Sequence, residues 1–332
     1  MPVGWRNAFS VALAAALAIF LGLGGAASAA DYPYPLYVSG DSGVHDPVVV
    51  PGAGGVPYSS YATGGRVRVL QSNDNVHFSY VGDAFSSTSS WWLSYNPAGE
   101  LWAPDVSYRN GQYWMYYAVS QFGTNTSAIG LATSPTGAPG SWIDQGVVIS
   151  SSWFSPYNAI DPQLLVDENG GWWLTFGSFW NGIYITSLNP ATGKLANPGM
   201  PATRIAARGG IFNNPIEAPF IQQHDGFYYL FVSFDSCCKG LDSTYNIRVG
   251  RSASPAGPYV DKSGVPMTSG GGTLLLETHD WVVGPGHSSV AKDAATGQDL
   301  LVYHYYDGRQ NGVSKLGLNC LEWGADGWPF IM

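Results

Sequence analysis

The sequence predicts an all-β chain closed into a five-bladed β-propeller, and three observations carry that reading. Five polar residues recur within two positions of a proline and ahead of an apolar run: Asp46, Asp105, Asp161, Glu217 and His287, spaced 59, 56, 56 and 70 residues apart. A period of that size suits a four-stranded blade with long loops. Each of these openers is followed by a turn and an aromatic strand, such as Gly111-Gln112-Tyr113-Trp114-Met115-Tyr116-Tyr117 in the second unit. Finally, 43 Gly and 22 Pro accompany short aromatic runs with no clear amphipathic helix, the composition of an all-β fold.

Each element follows from local chemistry. Proline has no N–H to give to a sheet ladder, so Asp161-Pro162 suits the entrance of Gln163-Leu164-Leu165-Val166 rather than its middle. His45-Asp46-Pro47, Ala103-Pro104-Asp105, Glu217-Ala218-Pro219 and Gly284-Pro285-Gly286-His287 open strands in the same way. Second strands follow at Gly170–Phe176, Gly226–Phe231 and Asp299–Tyr306, and third strands end at Ser134-Pro135 and Ser254-Pro255. With first strands lining a central channel, the openers converge at one mouth and their carboxylates face each other.

Residues 1–30 read as an export signal: Arg6 gives a positive start, Val11 to Leu23 is apolar, and Ala27-Ser28-Ala29-Ala30 offers small residues for cleavage. The apolar run is short for a membrane span. Residues 31–332 are expected to form one propeller domain that is secreted, free of the membrane after signal cleavage, and monomeric. How the last blade closes the ring, and whether the stretch from Asp31 supplies a strand, is left open by the sequence.

Charge and rings restrict the partner. The 14 Lys and Arg against 23 Asp and Glu give a net charge of −9, a poor match for nucleic acid or another polyanion. Thirteen Trp and 20 Tyr in a sparsely charged chain suit a neutral sugar held by stacking and hydroxyl hydrogen bonds, although most rings are expected in blade cores. The three cysteines, Cys237, Cys238 and Cys320, form no disulfide framework and stand at no metal-ligand spacing, and their pairing is not readable.

A lone Asp-Pro is ordinarily a turn. Repetition at matching places, with Glu replacing Asp once, points instead to chemistry. Hydrolysis of a glycosidic bond needs one protonated carboxyl for the leaving oxygen and one ionised carboxylate to activate water or attack. Gathering carboxyls in a buried place raises the pKa of at least one. Asp46, Asp105, Asp161 and Glu217 around one mouth supply those ingredients.

At this point the chain resembles the glycoside hydrolase family 43 arabinanases, endo-acting enzymes that cut α-1,5-linked L-arabinan. The resemblance rests on Val44-His45-Asp46-Pro47, Leu101-Trp102-Ala103-Pro104-Asp105-Val106, Asn158-Ala159-Ile160-Asp161-Pro162, Gly177-Ser178-Phe179-Trp180, Ile216-Glu217-Ala218-Pro219-Phe220, Gly284-Pro285-Gly286-His287, His304-Tyr305-Tyr306-Asp307 and Cys237-Cys238-Lys239-Gly240. It implies an inverting mechanism with Asp46 as base, Glu217 as acid and Asp161 as the group that raises and orients Glu217. It further implies substrate contacts at Asp46, Trp102, Phe122, Gly123, Asn158, Ala159, Ile160, Asp161, Ser178, Phe179 and Trp180. Asp105 is expected to hold neighbouring side chains rather than touch sugar. His287 is implied as a ligand of one channel ion, Ca2+ with waters, which is unusual because calcium prefers oxygen. Arabinan and arabino-oligosaccharides are the implied partners. Alternatives are an exo-acting arabinanase, an α-L-arabinofuranosidase or a β-xylosidase of the same family, and a propeller lectin. The missing C-terminal β-sandwich favours endo action, and the intact acids disfavour a lectin.

Overall fold

The computed structural model describes Met1 and residues 32–332, so the expected export signal lies outside the described residues apart from Met1. Within them, 21 strands fall into five antiparallel sheets, one per blade. Blade 1 uses Val48–Pro51, Tyr58–Ala62, Arg68–Ser72 and His77–Asp83, with Ser39–Gly40 added in parallel at its outer edge. Blade 2 uses Trp102–Arg109, Gln112–Val119, Ser127–Ser134 and Ile143–Ser151. Blade 3 uses Gln163–Val166, Trp172–Phe176, Ile183–Leu188 and Thr203–Ala206. Blade 4 uses Ile216–His224, Phe227–Phe234, Asn246–Ser252 and Thr273–Leu276, and blade 5 uses Val282–Lys292, Asp299–Asp307, Val313–Trp323 and Pro329–Ile331. The five-bladed propeller expected from the repeat is the fold.

The first strands of all five blades enclose a cavity of about 460 Å³ along the channel. Hydrophobic burial lies between blades rather than within them. One cluster joins Tyr61 and Val69 of blade 1 to Met115 and Tyr117 of blade 2, and another joins Tyr116 and Leu131 to Leu164 and Trp172 of blade 3. Ile183 and Ile205 meet Leu230 and Tyr228, and Phe231 and Val249 meet Leu301 and Tyr303. The last seam packs Leu70 and Phe78 of blade 1 against Val302, Leu316 and Leu318 of blade 5. Aromatic second strands are favoured because each blade must offer a large apolar face to both neighbours.

Both chain ends close the ring on one strand of blade 5. Leu36 N–H donates to Leu318 O at 2.7 Å and Leu316 N–H to Ser42 O at 2.8 Å. Further along the same strand, Leu321–Trp323 pair with Pro329–Ile331. Asn319, fully buried between them, donates from Nδ2 to Tyr34 O at 3.0 Å and to Met332 O at 3.3 Å, while its Oδ1 accepts from Tyr303 OH at 2.6 Å. The stretch after Asp31 therefore shares in closure.

Proline placement differs from expectation in part. Strands begin directly after Pro47 and Pro162, but in blades 2 and 4 they begin earlier and carry Pro104 and Pro219 inside. The ladder slips there, between Trp102 and Asp105 and between Glu217 and Phe220. A proline cannot donate, so the strand bulges and re-aims the neighbouring side chains.

Candidate active site

The mouth is built by one backbone device used five times. Asp46, Ala103, Asp161, Ala218 and His287 all adopt left-handed backbone, with φ of 52, 44, 55, 55 and 50°. Such a conformation costs a non-glycine residue about 1–2 kcal/mol, so something must hold it. Four of the five amides are held by a side chain from the preceding blade. Asp46 N–H donates to His304 Nδ1 at 3.1 Å, and Ala103 N–H to Thr63 Oγ1 at 2.8 Å. Ala218 N–H donates to Asp161 Oδ2 at 3.0 Å, and His287 N–H to Ser233 Oγ at 2.8 Å.

These residues set the true phase of the repeat, and they correct one expectation. Asp105 stands two residues past Ala103 and lines the channel with Gln163 and Val50, so it does not share the rim with the other acids. Two residues along a strand are about 6.5 Å. There Asp105 Oδ2 accepts Leu164 N–H at 2.8 Å, joining blade 2 to blade 3. Burial pushes its carboxyl up to about 7.

Asp46, Asp161, Glu217 and His287 do converge. Asp46 Oδ1 lies 3.1 Å from His287 Nδ1, and Oδ2 accepts Thr63 Oγ1–H at 2.5 Å. Burial works against the charged form of Asp46, but the charge and hydrogen bond of His287 outweigh it and hold the carboxyl well below the usual range. Burial would likewise lower His287, yet Asp46, with Asp161 and Glu217 beyond it, raises the imidazole to about 9. His304 is driven the other way, to about 3, by burial and by His45. Its neutral ring, accepting at Nδ1, carries its proton on Nε2.

Glu217 is buried and receives two hydroxyls, Ser178 Oγ–H on Oε2 and Tyr245 O–H on Oε1, each at 2.5 Å. Burial raises its pKa; those donors and His287 pull it down, Asp46 pushes it up, and the net shift is upward. Asp161 is also raised, by burial first and then by Glu217 and Asp46, against the attraction of His287. Two buried carboxyls that repel each other titrate as a pair, and this pair keeps a proton beyond the ordinary carboxylate range. One ionised carboxylate thus stands beside a carboxyl pair that retains a proton.

Comparison with known proteins bears on what such a trio does. The sequence model of glycosyl hydrolases family 43 matches residues 42–329. The chain belongs to that family. It is 45% identical over 295 residues to the extracellular endo-alpha-(1->5)-L-arabinanase 1 of Bacillus subtilis, covering 86% of this chain and 87% of that one. It is 38% identical over 302 residues to the extracellular exo-alpha-(1->5)-L-arabinofuranosidase ArbA of Cellvibrio japonicus, covering 87% and 86%. Among solved structures, a family 43 endo-arabinanase from Bacillus licheniformis superposes with a TM-score of 0.82 at 46% identity, covering 89% of this chain and 99% of that one.

The other expected contact residues of this family 43 site fall into two groups. Trp102 is half-buried just before Ala103, and Phe179 and Trp180 form a half-buried turn with φ of 53 and 42°, pinned where Asn214 Nδ2 reaches both carbonyls. Phe122 is 86% exposed, and Gly123, at φ 80°, has open space around it. Asn158, Ala159 and Ile160 are buried with their polar groups committed. Asn158 Oδ1 accepts from Ser127 Oγ–H and Nδ2 donates to Thr124 O, while Ala159 N–H donates to Ser151 Oγ. These three brace the Phe122 loop and the Asp161 backbone.

Thr63, Ser233, Tyr245 and His304 were not singled out as site residues from sequence, yet they touch the trio. A signal for two of them exists: Thr63, Ser178 and His304 stand seventeen residues after Asp46, Asp161 and His287, each near the end of its blade's second strand. Tyr245 has no such marker. Its ring fills space left by Gly286, where an added Cβ would overlap it. Cys237 and Cys238 are bonded to each other, and Cys320 stands free and half-buried.

His287 is the expected ligand of a channel ion, and it could bind one only by giving up the proton that its raised pKa otherwise retains. With Nδ1–H given to Asp46, a neutral His287 offers Nε2, the arrangement in which a carboxylate orients a metal-ligating imidazole.

Proposed function

We propose that the protein is an exported, inverting endo-α-1,5-L-arabinanase. The observation that carries this reading is the split between Asp46, held ionised by His287, and the Asp161–Glu217 pair, which keeps a proton. Carboxyls pushed apart in this way divide into base and acid.

Asp46 takes the proton of a water that attacks the anomeric carbon of an arabinofuranosyl unit. A carboxylate has about four lone-pair sites, so Thr63 and His287 leave room for that water. Glu217 gives its proton to the leaving oxygen as the glycosidic C–O bond breaks. Ser178 and Tyr245 then donate to the carboxylate that forms, which favours the transfer. Asp161 keeps Glu217 protonated by like-charge repulsion and orients its backbone through Ala218 N–H. A calcium ion, if bound, would be held by His287 Nε2 in its neutral form together with waters, and would then supply in place of the imidazolium the positive charge that favours ionised Asp46.

Endo action is supported by exposed aromatics on two separate loops, Phe122 after the second strand of blade 2 and Phe212, 87% exposed, ahead of the first strand of blade 4. Phe212 belongs to the loop that Asn214 ties to Phe179 and Trp180. Export is supported by residues 1–30 and by the extracellular relatives.

The test is a time course on linear, debranched arabinan, with the anomer of the new reducing end read by NMR. A spread of oligosaccharides appearing early, with inverted anomers, is expected. A single small product from the start makes the enzyme exo-acting, as the Cellvibrio relative is named, and retained anomers remove the proposed roles.

A further inference from the structure

Trp153 and Phe154 are 78% and 93% exposed, side by side on the loop that connects blade 2 to blade 3. Apolar rings this open usually mark an interaction site. The loop is fastened to the catalytic mouth rather than loose. Asn125 Nδ2 donates to Ser152 O at 2.8 Å, and Ser151 Oγ–H donates to Asn125 O at 2.6 Å while accepting Ala159 N–H. Ser151 lies two residues before Trp153, and Ala159 two before Asp161. With 3.8 Å between successive Cα atoms, the Trp153–Phe154 pair stands within a few sugar units of Asp161. Asn125 also lies three residues from Phe122, so the two loops that carry the three exposed rings are hydrogen-bonded to each other and to the stretch leading into Asp161.

We propose that Trp153 and Phe154 are a distal sugar-binding platform that takes arabinan residues beyond those at the cleavage point. The inference rests on the arabinanase reading above and adds which part of this chain grips the polymer. The occupant follows from continuity and charge. The rim carries no ionic side chain of its own between Gln121 and Thr126 or between Ser152 and Tyr157. Flat apolar rings with hydroxyl-bearing neighbours, Ser152 and Ser155, suit the face of a neutral furanose. A platform outside the catalytic centre binds ground and transition states of a long chain alike, so it acts on KM rather than kcat.

The experiment compares wild type with Trp153→Ala/Phe154→Ala on long linear arabinan and on the shortest arabino-oligosaccharide that the wild type cleaves. Both rings are exposed, so an unchanged Tm is expected. KM on the polymer rises about tenfold, the equivalent of one lost stacking contact, with kcat and all kinetics on the short substrate unchanged. Trp153→Phe/Phe154→Tyr restores polymer KM. Equal kinetics of wild type and Ala variant on both substrates overturns the platform while leaving the arabinanase reading intact; a wild type that cuts neither removes the arabinanase reading itself. A loss of equal size on both substrates, or abolition of a dimer with no change in KM, also overturns it, the latter by making the rim a contact between copies.

Discussion

Replacing Tyr245 by Phe removes one oxygen and leaves the ring that Gly286 makes room for. The oxygen is the donor to Glu217 Oε1, and Tyr245 is itself buried and raised well above 10, so it remains a neutral donor throughout the working range. A donor to a carboxylate favours its ionised form, so its removal raises the pKa of Glu217. A hydrogen bond to a charged group is worth about 1.5–3 kcal/mol, and one pKa unit is about 1.36 kcal/mol, so the shift is on the order of one to two units. Both partners are buried, which leaves little solvent screening to discount. The basic limb of the kcat/KM–pH profile, which reports the free enzyme's acid, should move upward by that amount. The maximal rate should fall about tenfold or more, because the carboxylate left after proton transfer has lost half its hydroxyl support. Initial rates on a soluble arabino-oligosaccharide across about pH 4–9 measure both. A basic limb that stays put or moves downward, with kcat within about twofold of wild type, would refute the assignment of Glu217 as acid and Tyr245 as its donor.

Four further outcomes follow from the same geometry. Asp161→Asn keeps an acceptor for Ala218 N–H but removes the repelling charge, so the basic limb should move down by on the order of one unit with a lower kcat; an unchanged limb contradicts the role of Asp161. Asp105 is raised to about 7 against an unfolded value near 3.9, so the folded state holds its proton longer: the wild type's stability from this group is full below about pH 4 and lost as pH rises towards 7. Asp105→Asn escapes that loss, on the order of 4 kcal/mol, and its Tm advantage should widen between about pH 4 and 7; a constant gap removes the argument. On the proposed ion site, wild type should carry calcium by elemental analysis after dialysis and lose activity on chelation, and His287→Ala should lack the ion and be less active; full calcium occupancy in the variant reassigns the ligand, and none in the wild type removes the site. Asn319→Ala takes away the acceptor of Tyr303 OH and the amide donor to Tyr34 O and Met332 O and should cost about 2–4 kcal/mol, read as a fall in urea midpoint; a change below about 0.5 kcal/mol means the ends are held elsewhere.

The blade count was legible because proline and aromatic strands leave compositional marks that survive in a single sequence. The phase of the repeat was not, because proline marks the strand entrance without saying which neighbour turns left-handed. Counting from the acids placed Asp105 on the rim; counting from the residue before each proline gives Asp46, Ala103, Asp161 and Ala218, and puts Asp105 down the channel. His287 keeps the same backbone with Ser288 in place of proline, so there the mark is absent. The acids were legible as chemistry because burial of like charges is costly unless used. Their partners were less so. Thr63 and His304 sit at a fixed offset that a second pass along the repeat can find, whereas Tyr245 reaches Glu217 from the far side of a loop with no periodic signal. Asn158 is expected at the substrate only through the family resemblance, and its hydrogen bonds show in addition that it braces the Phe122 loop, which no spacing in the sequence announces.

On the roles proposed for Glu217 and Asp46, acid and base stand at two different seams, which ties the proposed inverting catalysis to ring closure. Glu217 is fixed at the joint of blades 3 and 4, by Ser178 from blade 3 and through Ala218 N–H to Asp161. Asp46 is fixed at the joint of blades 5 and 1, by His287 on its side chain and His304 on its amide. That second joint is the one the chain does not cross covalently between neighbouring blades in sequence; Leu36, Ser42 and Asn319 close it by hydrogen bonds and the Phe78–Leu318 cluster by burial. Inversion needs the two carboxyls about 6.5–9.5 Å apart to admit a water, so a seam that opens slightly moves the base from the acid before any blade unfolds. Weakening closure should therefore cost activity at temperatures where the blades are still folded, and Asn319→Ala should lose turnover ahead of its far-ultraviolet transition. An equal weakening inside one blade, away from both seams, should lose the two together.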